Sequence, residues 1–507
     1  MQKKLVNIKD LNSIRLTNIN KKIVLTHGVF DIVHIGHIEY LKEAKKFGDL
    51  LILSITGKKF VNKGLNRPYF DDDARIRFLC ELAIIDFVVL SNDFNSTNII
   101  KNLKPDFYIK GPDYKNKKND KARNLGIEEK AVKKYGGQLK FTSGKLFSST
   151  KILNSHFDDF KIIDQIKKIN KIDSLDNSLI LKDYHSSVKK IKKEKILIIG
   201  EVILDKYYYS ESLGTPSKEN ILSVNFLKKK EYIGGSFPVV KIVSEFSNNV
   251  TFVSFIKGNF MNSRLKKKLN SDVILKILAP PEFKDICKSR FIDINTNKKI
   301  FEFYEFSNTE IHNIELEKYL KSNLKKFDKV IVCDFGHGLF TTKVVHLIES
   351  KSKFLCVNVQ TNSGNRGFNL FNKFSKANLL VLDEPEIRLG LSDKYSSLNK
   401  IINSKKLKLF NSIMITRGIK GLFYKNNRIN SNKYLNFPAL NTKAVDTMGA
   451  GDAAYSYASL FVNNTSNSVL IGLLSSIAGA IKTTILGHEN FVQKSTLEKS
   501  FENLLKL

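Results

Sequence analysis

The stretch KIVLTHGVFDIVHIGH, residues 22–37, shows how this chain begins to fold. The run IVLT at 23–26 is typical of a buried strand, and Gly28 permits a sharp turn before helical spacing begins after His34. Four further apolar runs follow, at residues 50–55, 87–90, 107–110 and 139–142. Strands that alternate with amphipathic stretches predict a doubly wound parallel sheet, so residues 22–154 are expected to form a Rossmann-like α/β domain.

A second α/β pattern starts at KILIIG, residues 195–200. The later β-branched runs that we predict as strands cover residues 329–335, 354–359, 378–382 and 412–418. Between the first strand and these runs, residues 207–232 and 288–305 alternate in polarity like antiparallel strands, which predicts a small β lid. We therefore expect a second α/β domain over residues 194–507.

The segments that flank the first domain are polar. Residues 155–193 are rich in Lys, Asp, Asn and Ser and predict a partly helical linker, and residues 1–21 predict an N-terminal arm. A chain of 507 residues exceeds what one core usually supports, and a hydrophobic fraction of 42% excludes a largely disordered protein. The chain is expected to fold as two distinct domains.

Basic residues dominate the composition, since 83 Lys+Arg against 50 Asp+Glu give a net charge of +33. Such a balance raises nucleic acid or an anionic membrane surface as a partner. The lysines are spread along the whole chain and alternate with Asn and Ile, which favours solvated surfaces over a nucleic-acid footprint. We predict no nucleic-acid partner, and tight, salt-resistant binding to duplex DNA or RNA would contradict this interpretation.

The cysteines and the apolar runs indicate the cellular compartment of the protein. The four cysteines are widely spaced, form no CxxC pair and lie in apolar runs, as buried thiols in a reducing compartment do; they are Cys80, Cys287, Cys333 and Cys356. The first twenty residues lack the apolar core of a secretory signal, and the most apolar later stretch, residues 469–481, is too short to span a bilayer. These features predict a cytoplasmic protein without membrane insertion.

The turn after the first strand holds the first candidate site. Backbone N–H groups and the positive end of a helix dipole meet at such a turn, which suits a phosphate. His34 and His37 lie three residues apart at the predicted helix start, so both can face the same anion. Their imidazoles can donate hydrogen bonds to oxygens that gain charge when a nucleophile attacks an α-phosphate. Two structural histidines near a helix cap are the alternative interpretation of this pattern alone.

The surrounding motifs resemble those of the nucleotidyltransferase superfamily that includes glycerol-3-phosphate cytidylyltransferase and the adenylyltransferase half of the bifunctional heptose kinase/adenylyltransferase. The resemblance rests on GVFDIVHIGH (28–37), VNKGLNRP (61–68), Arg75, IIDFVVL (84–90), PDFYIKGPDY (105–114) and FSST (147–150). It implies that His34 and His37 are catalytic and that pyrophosphate is released. The residues that it places near the nucleotide or its phosphates are Gly28, Phe30, Asp31, Lys63, Arg67, Lys110, Ser148, Ser149 and Thr150.

The choice of nucleotide stays open between ATP and CTP. Many relatives carry an Asp shortly after the strand that corresponds to residues 50–55. This chain instead reads Thr56-Gly57-Lys58 there. Class I aminoacyl-tRNA synthetases also carry HIGH, but no KMSKS-like loop follows and no anticodon-binding module is recognisable in the sequence. That class is therefore disfavoured.

The second candidate site is VDTMGAGDAA, residues 445–454. Gly449 and Gly451 flank Ala450, so backbone N–H groups can converge on an anion where a helix begins. Asp452, at the start of that helix, can accept a proton from a substrate hydroxyl that attacks a γ-phosphate. An N-capping Asp after a glycine turn is the alternative for this pattern alone.

This stretch resembles the DTxGAGD signature of the ribokinase (PfkB-type) sugar kinases. The resemblance extends over about residues 195–507 and implies a catalytic role for Asp452. It implies sugar binding by Asp205, Gly234 and Gly235, and Mg²⁺ binding by Asp383 and Glu386, which stand where the family has Asn-x-x-Glu. The residues that it places at the nucleotide are Thr416, Gly418, Gly421, Gly449, Ala450 and Gly451.

Two positions depart from the ribokinase pattern. Pro238 stands where an Asn usually contacts sugar, and Asn358-Val359-Gln360 replaces a usual Asp-Pro-Lys. The leading hypothesis is a bifunctional sugar kinase and sugar-phosphate nucleotidyltransferase, which makes a heptose-like activated sugar for cell-surface polysaccharide. The alternative is an active nucleotidyltransferase with a weak, sugar-binding or oligomerising kinase-like domain. Ribokinase-type lids often build dimers, so a homodimer through the lid is a further expectation.

Overall fold

The computed structural model describes residues 4–61, 67–115, 124–143, 161–172, 175–296, 298–307, 311–428, 434–441 and 444–505. The chain divides into two compact units. One comprises Met1–Phe160 with Glu498–Asn503 and Leu507, and the other comprises Lys161–Leu497 with Leu504–Lys506.

The first unit is built on a six-stranded parallel sheet. Its strands are β1 (Leu5–Val6), β2 (Ile23–Gly28), β3 (Leu50–Thr56), β4 (Phe87–Ser91), β5 (Phe107–Lys110) and β6 (Gln138–Phe141), in the order β1-β4-β3-β2-β5-β6. Its helices are α1 (Leu11–Thr17), α2 (Ile35–Lys45), α3 (Asp72–Glu81), α4 (Thr97–Leu103) and α5 (Asn124–Lys134). The five strands predicted from the sequence are all present.

Both faces of this sheet are covered, which explains the continuous apolar runs. Along β2, Val24 joins one buried cluster with Leu41 of α2, whereas Ile23 and Leu25 join a second cluster with Ile100 of α4. Successive side chains of a strand point to opposite faces, so a strand between two helix layers needs apolar residues at every position.

Residues 4–21, the part of the expected arm that the structure describes, do not form a separate arm. Strand β1 pairs with β4, with Leu5 opposite Val88, and Leu11 of α1 is completely buried. The expected arm over residues 1–21 therefore contributes an edge strand and a packed helix to the first unit. A two-residue strand is too short to show alternation in the sequence, which explains the difference.

The second unit contains a nine-stranded sheet in the order β11-β10-β7-β14-β15-β16-β17-β18-β19. Its strands are β7 (Lys195–Gly200), β10 (Asn249–Ser254), β11 (Ile274–Ile277), β14 (Lys329–Asp334), β15 (Leu355–Val359), β16 (Ala377–Asp383), β17 (Phe410–Thr416), β18 (Leu422–Asn426) and β19 (Tyr434–Phe437). The pairs from β11 to β17 are parallel, and β18 and β19 add an antiparallel edge.

The helices after residue 160 are α6 (Lys161–Asn170), α7 (Asn177–Ile191), α8 (Phe237–Val243), α9 (Asn259–Lys268), α10 (Ile314–Asn323), α11 (Thr342–Lys351), α12 (Glu384–Leu391), α13 (Leu398–Ile402), α14 (Ala450–Phe461), α15 (Ser468–Thr483) and α16 (Lys494–Leu505). Residues 161–191, expected to lie in a linker, supply α6 and α7 to the second unit. Tyr184 of α7 is buried and stacks on Phe461 at a ring distance of 5.5 Å. Because the exposed sides of these helices carry many lysines, the sequence indicated partial helicity but not the buried apolar face by which the helices pack.

The predicted lid is a separate four-stranded sheet with the order β13-β12-β8-β9. It consists of β8 (Val202–Gly214), β9 (Ser223–Gly235), β12 (Ile286–Asp293) and β13 (Lys299–Glu305). The outer pairs are antiparallel as expected, but the central pair of β8 and β12 is parallel. Strand β12 enters the lid after β10 and β11 of the main sheet, so no hairpin links it to β8.

Within the described ranges, no helix is both long and apolar enough to cross a membrane.

Candidate functional sites

The two histidines of the first site are brought together at the start of α2. His34 is the N-cap, and its Nδ1 accepts a hydrogen bond from the Gly36 N–H at 3.1 Å. The His34 N–H in turn donates to His37 Nδ1 at 3.4 Å, and the two rings lie 4.1 Å apart. A neutral imidazole whose Nδ1 accepts carries its proton on Nε2. Both rings can therefore present an N–H donor at the positive end of the helix.

Residues of the preceding turn shape this site. The buried Phe30 has a φ of 46° and lies with its ring 5.4 Å from that of His37. Asp31 accepts hydrogen bonds from Arg67 Nε at 2.7 Å and from the N–H groups of Tyr69 and Phe70. Asp31 and Arg67 are thus in contact, and Asp31 anchors the segment that follows Arg67. Arg67 Nη2 is buried without a hydrogen-bond partner among the described residues, so it is available for a phosphate oxygen.

Lys110, expected at a phosphate, lies in a buried ion pair with Glu128 at 3.0 Å. Glu128 also accepts hydrogen bonds from the N–H and hydroxyl of Ser96. Burial acts to raise the pKa of Glu128, but the charge of Lys110 and the hydrogen bonds outweigh it, so the pKa is lowered. The phosphate contact of Lys110 stays a prediction.

Two residues that support this site were not assigned a role from the sequence. His27 is half-buried, with its ring between Ser54 Oγ at 3.0 Å and Thr56 Oγ1 at 3.2 Å, and loss of solvent together with the charge of Lys110 lowers its pKa to about 4. Arg75 donates to the carbonyls of Val29 and Thr56 and so ties the end of β3 to the turn after β2. A polar residue at the carboxyl end of a buried strand is the signal that could have identified His27.

Four residues implied by the resemblance lie outside the described residues. They are Lys63, Ser148, Ser149 and Thr150.

In the second site, the glycine turn leads directly into α14. Gly449 has a φ of 74°, which favours glycine, and Ala450, Gly451 and Asp452 form the first helical turn. The N–H groups of a first turn have no partners inside the helix and can bind an anion. Asp452 is buried, and this burial raises its pKa to about 6, against the lowering effects of Gln360 and Lys482. A carboxyl group with such a pKa is suited to accept a proton near neutral pH.

Gln360 contacts this carboxylate directly. Its Nε2 donates to Asp452 Oδ1 at 2.5 Å and to Asn358 Oδ1 at 2.9 Å, while Asn358 Nδ2 donates to the carbonyl of Val381. Both amide hydrogens of Gln360 are therefore used, and the chain of hydrogen bonds fixes the orientation of its amide. The sequence showed Asn358 and Gln360 as departures from a family pattern without indicating this contact.

A cavity of about 380 Å³ adjoins Asp452. Every residue that we assigned to nucleotide or metal in this domain lines it, namely Thr416, Gly418, Gly421, Gly449, Ala450, Gly451, Asp383 and Glu386. These residues come from the ends of β16 and β17 and from the start of α14, as expected for a ligand site at the carboxyl edge of parallel strands.

Asp383 and Glu386 form a capping box at the start of α12. The N–H of Asp383 donates to Glu386 Oε2 at 2.9 Å, and the N–H of Glu386 donates to Asp383 Oδ1 at 2.7 Å. Burial and the neighbouring carboxylate of Asp383 raise the pKa of Glu386. Among the described residues, no group of three or more His, Cys, Asp or Glu side chains could hold a metal alone. Two carboxylates that line the same cavity nevertheless fit Mg²⁺, which takes one or two carboxylates together with waters and substrate phosphates.

The residues expected to bind sugar also lie together. Asp205 forms an ion pair with Arg290, and His488 Nε2 lies 3.4 Å from its second carboxylate oxygen. A Cβ at Gly234 would come within 2.1 Å of Asp205 Oδ2, so only glycine fits there without displacing that carboxylate, and Gly235 follows at the end of β9. Pro238, in place of the usual Asn, is buried in the first turn of α8.

Three polar residues beside Asp205, together with His337 close to Lys288, were missed, because they lie far apart in the sequence. They are Lys288, Arg290, His337 and His488, all of them buried or nearly so. Neither ring nitrogen of His337 has a hydrogen-bond partner in the described part of the chain, and burial with the nearby charge of Lys288 lowers its pKa to about 3. His337 is therefore neutral and can exchange hydrogen bonds with a ligand.

Two family models match different parts of the chain. Residues 25–155 match the family model described as cytidylyltransferase-like, and residues 193–466 match that of the pfkB family carbohydrate kinases. The chain is 40% identical over 119 residues to the "Bifunctional protein HldE" of Campylobacter fetus, and 39% identical over 138 residues to that of Aliarcobacter butzleri. These matches cover 23% and 27% of this chain, and the chain spans only 26% and 27% of the length of these relatives.

Solved structures similar to the chain include a ribokinase from Thermotoga maritima, with a TM-score of 0.46 and 18% identity over 62% of this chain and all of the other. A ribokinase from Arabidopsis thaliana complexed with ribose and ATP has a TM-score of 0.47 and 12% identity, over 62% of this chain and 99% of the other. Since the pfkB model alone matches more than half of the 507 residues, the chain belongs to the pfkB family of carbohydrate kinases and carries a cytidylyltransferase-like domain before the kinase domain.

Proposed function

We propose that this protein is a bifunctional enzyme that phosphorylates a sugar and joins a sugar phosphate to a nucleotide. The observation that supports this most is the presence of two different helix-start sites on one chain, with paired imidazoles at His34 and His37 and a buried carboxylate at Asp452. The first set suits stabilisation of charge on an α-phosphate, and the second suits proton removal from a hydroxyl.

In the kinase reaction, the sugar hydroxyl transfers its proton to Asp452 as its oxygen forms a bond to the γ-phosphorus of ATP. The bond between the γ-phosphorus and the bridging oxygen breaks, and ADP leaves. The N–H groups of the Gly449–Gly451 turn bind the phosphates, and Asp205 accepts hydrogen bonds from the sugar hydroxyls. Mg²⁺ held by Asp383, Glu386 and waters would neutralise charge on the phosphates.

In the nucleotidyl transfer, a phosphate oxygen of the sugar phosphate attacks the α-phosphorus of ATP or CTP, and pyrophosphate leaves. His34 and His37 donate hydrogen bonds to the oxygens that gain charge, and Arg67 binds phosphate. No covalent enzyme intermediate is required. The product is a nucleotide-activated sugar.

We propose a heptose-like sugar destined for cell-surface polysaccharide, on the strength of the resemblance to the bifunctional heptose enzymes. Lys288 beside Asp205, with His337 close to Lys288, supports an acceptor that carries an anionic group in addition to hydroxyls. Nucleotide substrates and four buried free cysteines support a cytoplasmic location.

The decisive experiment is mass spectrometry of the products formed from sugars and sugar phosphates with ATP and with CTP. Wild type is compared with Asp452→Asn and with His34→Ala. We expect Asp452→Asn to lose only the phosphorylated sugar and His34→Ala to lose only the nucleotide sugar. Equal ATP consumption in wild type and Asp452→Asn would instead favour a kinase-like domain that only binds sugar or assembles the protein.

We also propose a homodimer through the outer face of the lid. There the rings of Tyr208, Phe291 and Phe301 stack in a row at 4.7 and 4.4 Å, and Phe301 and Phe226 are 51% and 57% exposed. A second copy of the chain would bury this row. Light scattering of wild type and Phe301→Glu tests this, and a wild-type monomer at micromolar concentration would contradict it.

A further inference from the structure

Lys482, near the end of α15, is a buried cation that has no role in the two proposed reactions. Its side chain is only 2% exposed. Its Nζ donates to the carbonyl of Gly487 at 2.6 Å and to that of Ile485 at 3.4 Å. An ammonium group is costly to bury, so its position beside a ligand site calls for a functional explanation.

The lysine lies directly behind the glycine turn of the kinase site. A Cβ at Gly449 would be 3.2 Å from Lys482 Cε, so the lysine stem packs against the backbone of the turn. Asp446 ties the same two segments together, because its carboxylate accepts the N–H of Met448 at 3.1 Å and the N–H of Gly487 at 2.9 Å. The turn at 446–449 and the segment at 482–487 therefore form one hydrogen-bonded unit.

We propose that Lys482 is a positioning residue for ATP: its ammonium holds the segment that braces the Gly449–Gly451 turn and places a positive charge behind the bound triphosphate. This inference rests on the proposed kinase function. The backbone N–H groups of the turn contact the phosphates, and Lys482 acts through them. The same charge stabilises the carboxylate form of Asp452.

The charged and titratable groups around Lys482 are Asp446, Asp452 and His488. Burial lowers the pKa of Lys482 to about 8, although both aspartates act to raise it. Asp205 and Lys288 also act on Asp452, from the strands of the lid. The ammonium is thus mostly charged at neutral pH and becomes neutral as the pH rises above about 8.

The test measures binding of a non-hydrolysable ATP analogue by calorimetry, together with the pH profile of ATP-dependent sugar phosphorylation. We expect Lys482→Met to bind the analogue about tenfold more weakly, as for one charge acting through a partly screened interior. The acid limb of its kinase pH profile should move to higher pH, because Asp452 loses a neighbouring positive charge. Ammonium chloride should partly restore binding to Lys482→Ala, whereas tetramethylammonium chloride, at the same ionic strength, should not.

A comparison with Lys482→Arg does not depend on how well the neutral variants fold. Analogue binding by wild type should weaken above about pH 8 as Lys482 loses its proton, whereas the guanidinium of Lys482→Arg stays charged and should keep its affinity. Parallel pH dependences of wild type and Lys482→Arg, or unchanged binding by a folded Lys482→Met, would overturn the inference. If wild type itself neither binds the analogue nor phosphorylates any sugar, the proposed kinase function fails instead.

Discussion

The two candidate sites have the same backbone arrangement but carry different side chains. In each, a turn containing glycine leads into a helix, at α2 in the first unit and α14 in the second. In the first, the side chains at the helix start are the imidazoles of His34 and His37, which we propose donate hydrogen bonds to phosphate oxygens. In the second, the side chain is the carboxylate of Asp452, which we propose accepts a proton.

On the proposed functions, the helix N-terminus supplies phosphate affinity in both sites, and the side chains placed there decide the reaction. The two sites also differ in how their charged side chains are paired. Around the first site, Arg67 and Lys110 are paired with Asp31 and Glu128, so their charges are partly compensated. Around the second, burial raises the pKa of Asp452 to about 6, which leaves it able to take up a proton.

The largest expected effect comes from removing the proposed base of the second site. Asp452→Asn keeps the size of the side chain but cannot accept the proton, so sugar phosphorylation should fall by about 10²–10⁴-fold. Pyrophosphate release by the first site should be unchanged. Coupled-enzyme assays of ADP and pyrophosphate check both, with the exposed Asp272→Asn as a matched control. A parallel loss of both activities would show that the two sites do not work independently.

The first site is tested by His34→Ala and His34→Asn. Loss of one donor to a developing charge should lower pyrophosphate release by about 10²–10³-fold in both variants, with kinase turnover unchanged. Asn can still cap α2, so only His34→Ala should also lose stability, by about 1 kcal/mol in thermal or denaturant unfolding. Full activity in His34→Asn would reduce His34 to a structural cap.

A smaller effect is expected from Gly234→Ala. The added Cβ would come within 2.1 Å of Asp205 Oδ2 and would displace the carboxylate from the proposed sugar position. We expect KM for the sugar to rise by about tenfold or more, since each 1.4 kcal/mol of lost binding is a factor of ten, while KM for ATP stays the same. Gly126→Ala, where a Cβ would meet nothing within 4 Å, is the control. A rise in KM for ATP alone would place Gly234 away from the sugar.

The smallest expected effect is a displacement of the pH profile. Gln360 donates a hydrogen bond to the ionised form of Asp452, so its removal in Gln360→Leu should raise the pKa of Asp452 above its value of about 6. The acid limb of kcat/KM for the kinase should move upward by about one pH unit. Gln360→Lys brings a positive charge to the same place and should move the limb downward. Profiles that do not differ in these opposite directions would exclude a role for Gln360 in setting that pKa.

Much of the fold could be predicted because local patterns dictated it. The continuous apolar run at β2 needed no tertiary information, since a strand covered on both faces must be apolar throughout. Strand β1 was missed for the opposite reason, and residues 161–191 were predicted only as a partly helical linker, without their packing into the second unit. A two-residue strand has no period, and the buried residues of α7 are few among its lysines and serines.

The candidate sites divide in the same way. The sequence by itself determined the two helix-start motifs, because His34 and His37, like Gly449 and Asp452, lie within one helical turn of each other and their spacing decides that they meet. Only the tertiary structure decided which distant groups surround them, such as Gln360 at Asp452, Arg290 and His488 at Asp205, and Lys482 behind Gly449. These contacts join residues separated by tens to hundreds of positions, and their pKa shifts follow from burial, which no local pattern specifies.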